Sequence, residues 1–313
     1  MGGTVKICSL LPSSTEILYA LGLDDQIVAV THECDYPPQA LTKPQITASL
    51  IDHEHLTSSE IDHRVSSNIG RHGSIYQLKH DMLESLKPSL IITQELCDVC
   101  AVSYKDVQRA ARVLEGETRV VSLEPTTLDQ VLDTILFVGE LTGRQERAAQ
   151  QVQELRDRLA RVRDLVSAAH QPRVYCMEWL GPLYSAGHWV PEMVEIAGGR
   201  EMLGKAGLKS ERLVPEQVLE AQPEIIVLMP CGFSLQRTIE EYHRTTFFKG
   251  WEELPAVRND EVYAVDGSSY FNRSGPRLVD GVEILASIFH PDRCAGLFNR
   301  GTHVAYQHLK RLS

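Results

Sequence analysis

Seven short runs rich in Val, Ile and Leu recur along the chain, separated by longer amphipathic stretches, and this alternation constrains the fold more than any other feature. The runs are Val5–Leu10, Ile27–Thr31, Ser89–Thr93, Arg119–Leu123, Arg173–Met177, Glu224–Met229 and Glu261–Val265. A strand that reads as a near-continuous apolar run is covered on both faces, the condition of a parallel sheet with helices above and below it. An α/β fold is expected. Between the first two runs, Ser13-Ser14-Thr15-Glu16 precedes Ile17, Leu18 and Leu21. Ser13 is expected to cap a helix there, Glu16 to reach back to it, and Gly22 to end it.

From Gly143 to about Ala169 the pattern changes to one long polar helix. Val152, Leu155, Leu159, Val162 and Val166 follow one another at intervals of 3, 4, 3 and 4, with neither Gly nor Pro inside. About 27 residues at about 1.5 Å each span roughly 40 Å, more than a connection between neighbouring strands requires. The helix reads either as a strut between two lobes or as a surface helix of one large domain. On the first reading the chain divides into residues 1–142, a connecting helix 143–169, residues 170–295 and a tail 296–313. A length of 313 residues accommodates two such cores.

Two segments on either side of this helix echo each other. Glu84-Ser85-Leu86-Lys87-Pro88-Ser89-Leu90-Ile91-Ile92 and Leu219-Glu220-Ala221-Gln222-Pro223-Glu224-Ile225-Ile226-Val227 each read as a helix end, a proline and a buried strand. Asp81 and Glu216 both lie seven residues before their proline, near the starts of equivalent helices. Duplicated lobes explain the echo; chance similarity between two αβ units is the alternative.

A formal charge of −11 without a basic stripe argues against nucleic acid, whose affinity comes from clustered Lys and Arg. No run approaches the roughly 20 apolar residues of a membrane span. The first residues, Met1-Gly2-Gly3-Thr4-Val5-Lys6-Ile7-Cys8, carry no export pattern. Seven cysteines, an odd number, fit a reducing compartment. As written, the chain is expected to be cytoplasmic; removal of a leader would make it periplasmic or extracellular.

Ligands of open α/β sheets bind outside the carboxyl ends of the strands, so the residues there are the candidates for binding. They are Glu33, Cys34, Asp35 and Tyr36 after the second run, and Cys97 with Cys100 after the third. In the second half they are Glu178, Trp179, Tyr184, His188, Trp189, Cys231, Tyr270, Phe271 and Arg273. The rings would supply apolar contact, Arg273 and His188 would donate, and Glu33 and Glu178 would accept. Cys97-x-x-Cys100 with Cys34 and Cys231 could alternatively hold a metal, although small half-buried cysteines or a redox pair fit the same spacing. Asp52-His53-Glu54-His55 reads either as a metal-collecting loop or as a solvated insertion. No nucleophile elbow, phosphate loop or dinucleotide fingerprint occurs, so catalysis has no motif beyond the acidic groups.

With these residues in hand, the chain resembles the periplasmic cobalamin-binding proteins of ABC importers, within the class that binds iron-siderophores, haem and cobalamin. The likeness rests on Leu11-Pro12-Ser13-Ser14-Thr15-Glu16-Ile17-Leu18, Cys34-Asp35-Tyr36-Pro37-Pro38-Gln39-Ala40, Val194-Glu195-Ile196-Ala197-Gly198-Gly199, Pro215-Glu216-Gln217-Val218-Leu219 and Arg273-Ser274-Gly275-Pro276-Arg277. It implies two Rossmann-like lobes with parallel sheets joined by one long backbone helix, a cobalamin-like ligand in the cleft between them, and no enzymatic activity. It also implies an ABC permease as partner, met by Asp81 on one lobe and Glu216 on the other. The sequence departs from the pattern in three ways. Glu33 and Glu178 stand where aromatics are expected, the strand ends are rich in thiol, and an insertion lengthens the first lobe between Ser49 and His80.

Overall fold

The structure is a computed structural model that describes residues 5–51, 56–72, 75–94, 107–108, 110–111, 118–298 and 304–309. The chain forms two compact units. One comprises Met1–Leu56, Glu60–Pro125 and Leu132–Val152; the other comprises Thr57–Ser59, Thr126–Val131 and Gln153–Ser313.

The first unit is built on β1 (Ile7–Ser9), β2 (Ile27–Val30), β5 (Leu90–Thr93) and β6 (Arg119–Ser122), ordered β2-β1-β5-β6 and parallel throughout. A separate antiparallel pair, β3 (Thr47–Ser49) and β4 (Tyr76–Leu78), lies in the lengthened segment. Cys8, Leu10, Ala29, Ile46, Leu83 and Ile91 close one core cluster of this unit. Full burial of each large aliphatic side chain contributes about 1.5–3 kcal/mol.

The helices show where local chemistry overrode the sequence reading. α1 (Pro12–Ala20) begins one residue before Ser13, with Leu11 at the cap position and no side-chain cap. Proline favours the first helical position because its missing N–H would have no partner there, so Pro12 sets the start and Ser13 falls inside the helix. α2 spans Ser58–His72 and α3 spans His80–Leu86. α4 (Leu128–Thr142) ends at Gly143, whose φ of 70° is the left-handed stop expected of glycine. α5 (Gln145–Val166) follows and carries the chain from the first unit into the second. Its apolar stripe, Val152, Leu155, Leu159, Val162 and Val166, is buried as the spacing required, whereas its polar faces are largely exposed. Its 22 residues span about 33 Å.

The second unit centres on β7 (Arg173–Leu180), β10 (Ile225–Leu228) and β11 (Val262–Val265), mutually parallel. β8 (Leu183–Ser185) and β12 (Tyr306–His308) close its edges antiparallel, and β9 (Arg200–Glu201) pairs with β7 in parallel. Its principal helices are α6 (Val190–Ile196), α7 (Pro215–Ala221), α8 (Leu235–Arg244) and α9 (Leu278–Phe289). α9 is buried along its whole length.

The sequence echo has a conformational counterpart. α3 ends at Lys87 with φ 47° and ψ 61°, and α7 ends at Gln222 with φ 47° and ψ 55°. Both residues precede a proline, which disfavours the right-handed helical conformation just before it. Asp81 and Glu216 lie in the first turns of α3 and α7, and both are exposed. Among the described residues, no helix is long and apolar enough to cross a membrane.

Candidate functional site

In the first unit the residues beyond β1 and β2 form a buried hydroxyl and thiol cluster. Ser9 Oγ lies 2.5 Å from Ser14 Oγ, Thr15 Oγ1 donates to Ser9 Oγ at 2.7 Å, and Thr15 Oγ1 lies 3.1 Å from Cys34 Sγ. Cys34 is 1% exposed. Burial pushes the Cys8 thiol up to about 12, and neighbouring Cys34 adds to the shift. The Cys8 thiol therefore stays protonated at neutral pH, and both buried cysteines serve as packing groups before anything else.

Next to this cluster, His32 is fixed by Thr47, whose Oγ1 accepts from the His32 backbone N–H at 3.1 Å and lies 2.7 Å from Nδ1. His32 Nε2 lies 3.2 Å from Glu33 Oε1, within ion-pair range but without hydrogen-bond geometry. The Glu33 backbone N–H donates to Thr31 Oγ1 at 2.9 Å. Glu33 and Tyr36 are half-buried and Asp35 is exposed. Cys97 and Cys100 lie outside the described residues, as does Asp52-His53-Glu54-His55. Among the described residues, no group of three or more His, Cys, Asp or Glu is placed to hold a metal ion.

In the second unit, Glu178 near the end of β7 turns both carboxylate oxygens inward. Oε1 accepts from Ser210 Oγ at 2.8 Å and Oε2 from the Gly187 N–H at 3.3 Å. Burial raises its pKa, and those two hydrogen bonds pull it partly back. Its acceptor capacity thus already braces the turn at Gly187 against the loop at Ser210. A Cβ on Gly187 would lie 2.4 Å from Ser210 N, so only glycine permits this approach.

Glu201, which no motif in the sequence marks, does the same for the neighbouring turn. It accepts from the backbone N–H groups of Cys176, Leu203 and Gly204, each at 3.1 Å, and burial raises its pKa as well. A buried carboxylate that satisfies backbone donors is invisible to residue spacing, because its partners are main chain.

The rings of this unit divide into two kinds. Trp189 and Phe271 are core: Phe271 is 1% exposed, and its carbonyl accepts from Trp189 Nε1 at 2.8 Å. Tyr270 is also buried, edge-on to Phe298 and 5.6 Å beneath the Arg277 guanidinium. Trp179, Tyr184, His188, Cys231 and Arg273 remain half-buried. Trp179 meets Phe233 edge-on at 5.4 Å, and Arg237 lies 5.0 Å over the Phe233 ring. His188 adopts the left-handed conformation with φ 52° and stacks on Trp189 at 5.5 Å. Burial and the Lys209 charge lower its pKa, so the ring is neutral at neutral pH. The Arg273 guanidinium donates to Ser268 Oγ at 3.1 Å.

A groove of about 550 Å³ on the second unit is lined by residues of α5 and α6 and the start of α4, Arg156, Arg163, Glu192 and Glu195 among them. None of the strand-end groups lines it. Glu192 accepts from the Leu128 N–H at 2.6 Å and so serves as a helix cap. The groove is a charged surface feature, distinct from the strand-end chemistry.

Two α/β units, each built on a parallel sheet with polar and aromatic groups near its strand ends, and a long helix along which the chain finally passes into the second unit make up the fold. The family model described as periplasmic binding protein matches residues 7–268, and the chain belongs to that family. It is 27% identical over 281 residues to the vitamin B12-binding protein of Vibrio cholerae, covering 89% of this chain and 86% of that protein. The crystal structure of the periplasmic vitamin B12-binding protein BtuF of Vibrio cholerae superposes with a TM-score of 0.65 at 25% identity, covering 91% of this chain and 96% of that one. The periplasmic haem-binding protein RhuT from Roseiflexus shares the fold, with a TM-score of 0.67 at 23% identity and coverage of 92% and 99%.

Proposed function

We propose that this chain is the ligand-capturing component of an ABC importer and that its ligand is a metal chelate of the cobalamin, haem or siderophore class, with cobalamin the first candidate. The observation that carries this reading is the family match over residues 7–268, together with the B12-binding relative that aligns along most of both chains. The ligand leaves chemically unchanged; the protein works outside the cytoplasmic membrane and hands its cargo to a permease.

On this reading Trp179, Tyr184, His188, Cys231 and Arg273 are the candidate ligand contacts of the second unit, and Glu33, Asp35 and Tyr36 are the candidates of the first. Glu178, Trp189, Tyr270 and Phe271 hold the backbone beneath them. Asp81 and Glu216 engage arginines of the permease, an assignment supported by their equivalent, exposed positions in the first turns of α3 and α7. Equilibrium dialysis against cyanocobalamin, haemin and a ferric hydroxamate tests the proposal. One of the three should be retained at about one per chain and recovered unaltered; retention of none contradicts it.

A further inference from the structure

The insertion between β3 and β4 contributes one piece to the second unit. Thr57–Ser59, at the start of α2, cluster with that unit rather than with the first. Three contacts fasten Ser58 there. Its backbone N–H donates to Glu241 Oε1 at 2.6 Å, and its carbonyl accepts from Trp179 Nε1 at 3.1 Å. Gly181 approaches so closely that an added Cβ would lie 3.2 Å from Ser58 Oγ. Ser58 is 3% exposed and Glu241 is 2% exposed.

Glu241 reaches this position because α8 is capped by Ser234, whose Oγ accepts from the Arg237 N–H at 3.3 Å, and because α8 packs against β11. Its other oxygen, Oε2, is buried without a hydrogen-bond partner. A carboxylate is costly to bury with half its capacity unmet, and the cost is offset here by a charge-assisted bond to the free N–H at the start of a 15-residue helix.

We propose that Glu241 is a positioning residue for the ligand site: through the Ser58 peptide it locks the Trp179 indole in the pose that receives ligand. The chain of contacts runs from carboxylate to peptide N–H and from the same peptide residue's carbonyl to indole N–H. Edge-on contact with Phe233 sets the tilt of the ring, and the Ser58 carbonyl sets its rotation. The insertion thus acquires a role, because it supplies the acceptor for the Trp179 indole N–H. The proposal rests on the reading of Trp179 as a ligand-facing ring.

If the lock is removed, the competent rotamer becomes one of several, and apparent affinity falls by the fraction still competent. With a fifth to a tenth of the population competent, the loss is about fivefold to tenfold. Glu241→Ala removes the acceptor, whereas Glu241→Gln keeps a carbonyl oxygen at Oε1. Ser58→Pro removes the donor at a first helical position, where proline is well tolerated, and so guards against a folding failure of Glu241→Ala.

The test uses the full chain labelled with indole-15N tryptophan, with the Trp179 indole signal assigned through Trp179→Phe. The expected result is that indole exchange with solvent at Trp179 is about tenfold faster in Glu241→Ala and Ser58→Pro. Exchange at Trp189 should be unchanged, and Glu241→Gln should behave as the native chain. The cyanocobalamin dissociation constant should rise about fivefold to tenfold in Glu241→Ala and Ser58→Pro only. Unchanged Trp179 exchange in both variants overturns the proposal. A native chain that fails to bind cyanocobalamin overturns the ligand assignment alone, and the exchange measurement still decides the positioning.

Discussion

Arg158 on α5 grips Glu283 on α9 with two hydrogen bonds, Nε to Oε1 at 2.9 Å and Nη2 to Oε2 at 2.6 Å. The same Nη2 also donates to Asp280 Oδ1 at 2.5 Å. Both carboxylates are buried, Asp280 at 1% and Glu283 at 8% exposure, so the fork of one guanidinium compensates two charges. Burial works against the Arg158 charge, and the bonds to Glu283 and Asp280 more than restore it, leaving its pKa raised. This clamp ties the long helix to the most buried helix of the second unit.

Removing the guanidinium leaves two buried carboxylates without a cation. Arg158→Ala is expected to lower unfolding free energy by about 3 kcal/mol, the low end for a broken buried pair because part of Arg158 remains in water. Arg158→Lys should fall between the two, since an ammonium cannot reproduce the fork. Urea unfolding followed by circular dichroism measures this, and a change below about 1 kcal/mol for the alanine variant would mean the clamp is ornamental.

Glu178 makes an opposite prediction. Its pKa in the folded chain is raised above the ordinary 4.5, so the folded state holds the proton more tightly than the unfolded state. The stabilising contribution of protonation is complete below 4.5 and is lost as pH rises through the folded value. Glu178→Gln, which keeps acceptor capacity and removes charge, should match or exceed native stability at pH 7 and lose that advantage toward pH 4.5. Urea midpoints of the two proteins across this range decide it. A glutamine variant that is weaker at pH 7 and recovers in acid would reverse the sign.

Thiol chemistry separates the cysteines by environment. Cys8, Cys34 and Cys176 are buried, and burial raises the pKa of Cys8 and Cys176, whereas Cys231 is half-buried beside Gly232. Brief iodoacetamide treatment of the native chain followed by peptide mass spectrometry should modify Cys231 well ahead of these three. Bound ligand should slow that labelling. Cys8 or Cys176 reacting as fast as Cys231 would contradict the packing described above.

The strands show how far the chain could be read without coordinates. All seven apolar runs became strands, because covering a parallel sheet on both faces demands just such runs. β3, β4, β8, β9 and β12 escaped notice. Each is two or three residues long at an edge or in a side pair, where pairing rather than burial decides the conformation. The buried stripe of α5 followed directly from its spacing, but the helix ends did not. Gly143 serves the preceding helix, and α5 runs only from Gln145 to Val166.

The binding candidates were chosen as positions beyond strand ends, but β7 runs on to Leu180 and so includes Glu178 and Trp179, and Tyr184 lies in β8. Glu178, Trp189 and Phe271 look like pocket groups in sequence, but Glu178 bonds to Ser210 Oγ and the Gly187 N–H, and the Trp189 indole donates to the Phe271 carbonyl, all inside the unit. Glu201 and Glu241 carried no signal at all, since each is defined by a main-chain partner distant in sequence.

Isothermal titration of the native chain with cyanocobalamin, haemin and a ferric hydroxamate tests the central claim most directly. The account predicts one saturable isotherm near one ligand per chain, with a dissociation constant of about 1 μM or tighter, corresponding to about −8 kcal/mol or stronger. Flat titrations with all three ligands at about 100 μM would contradict it.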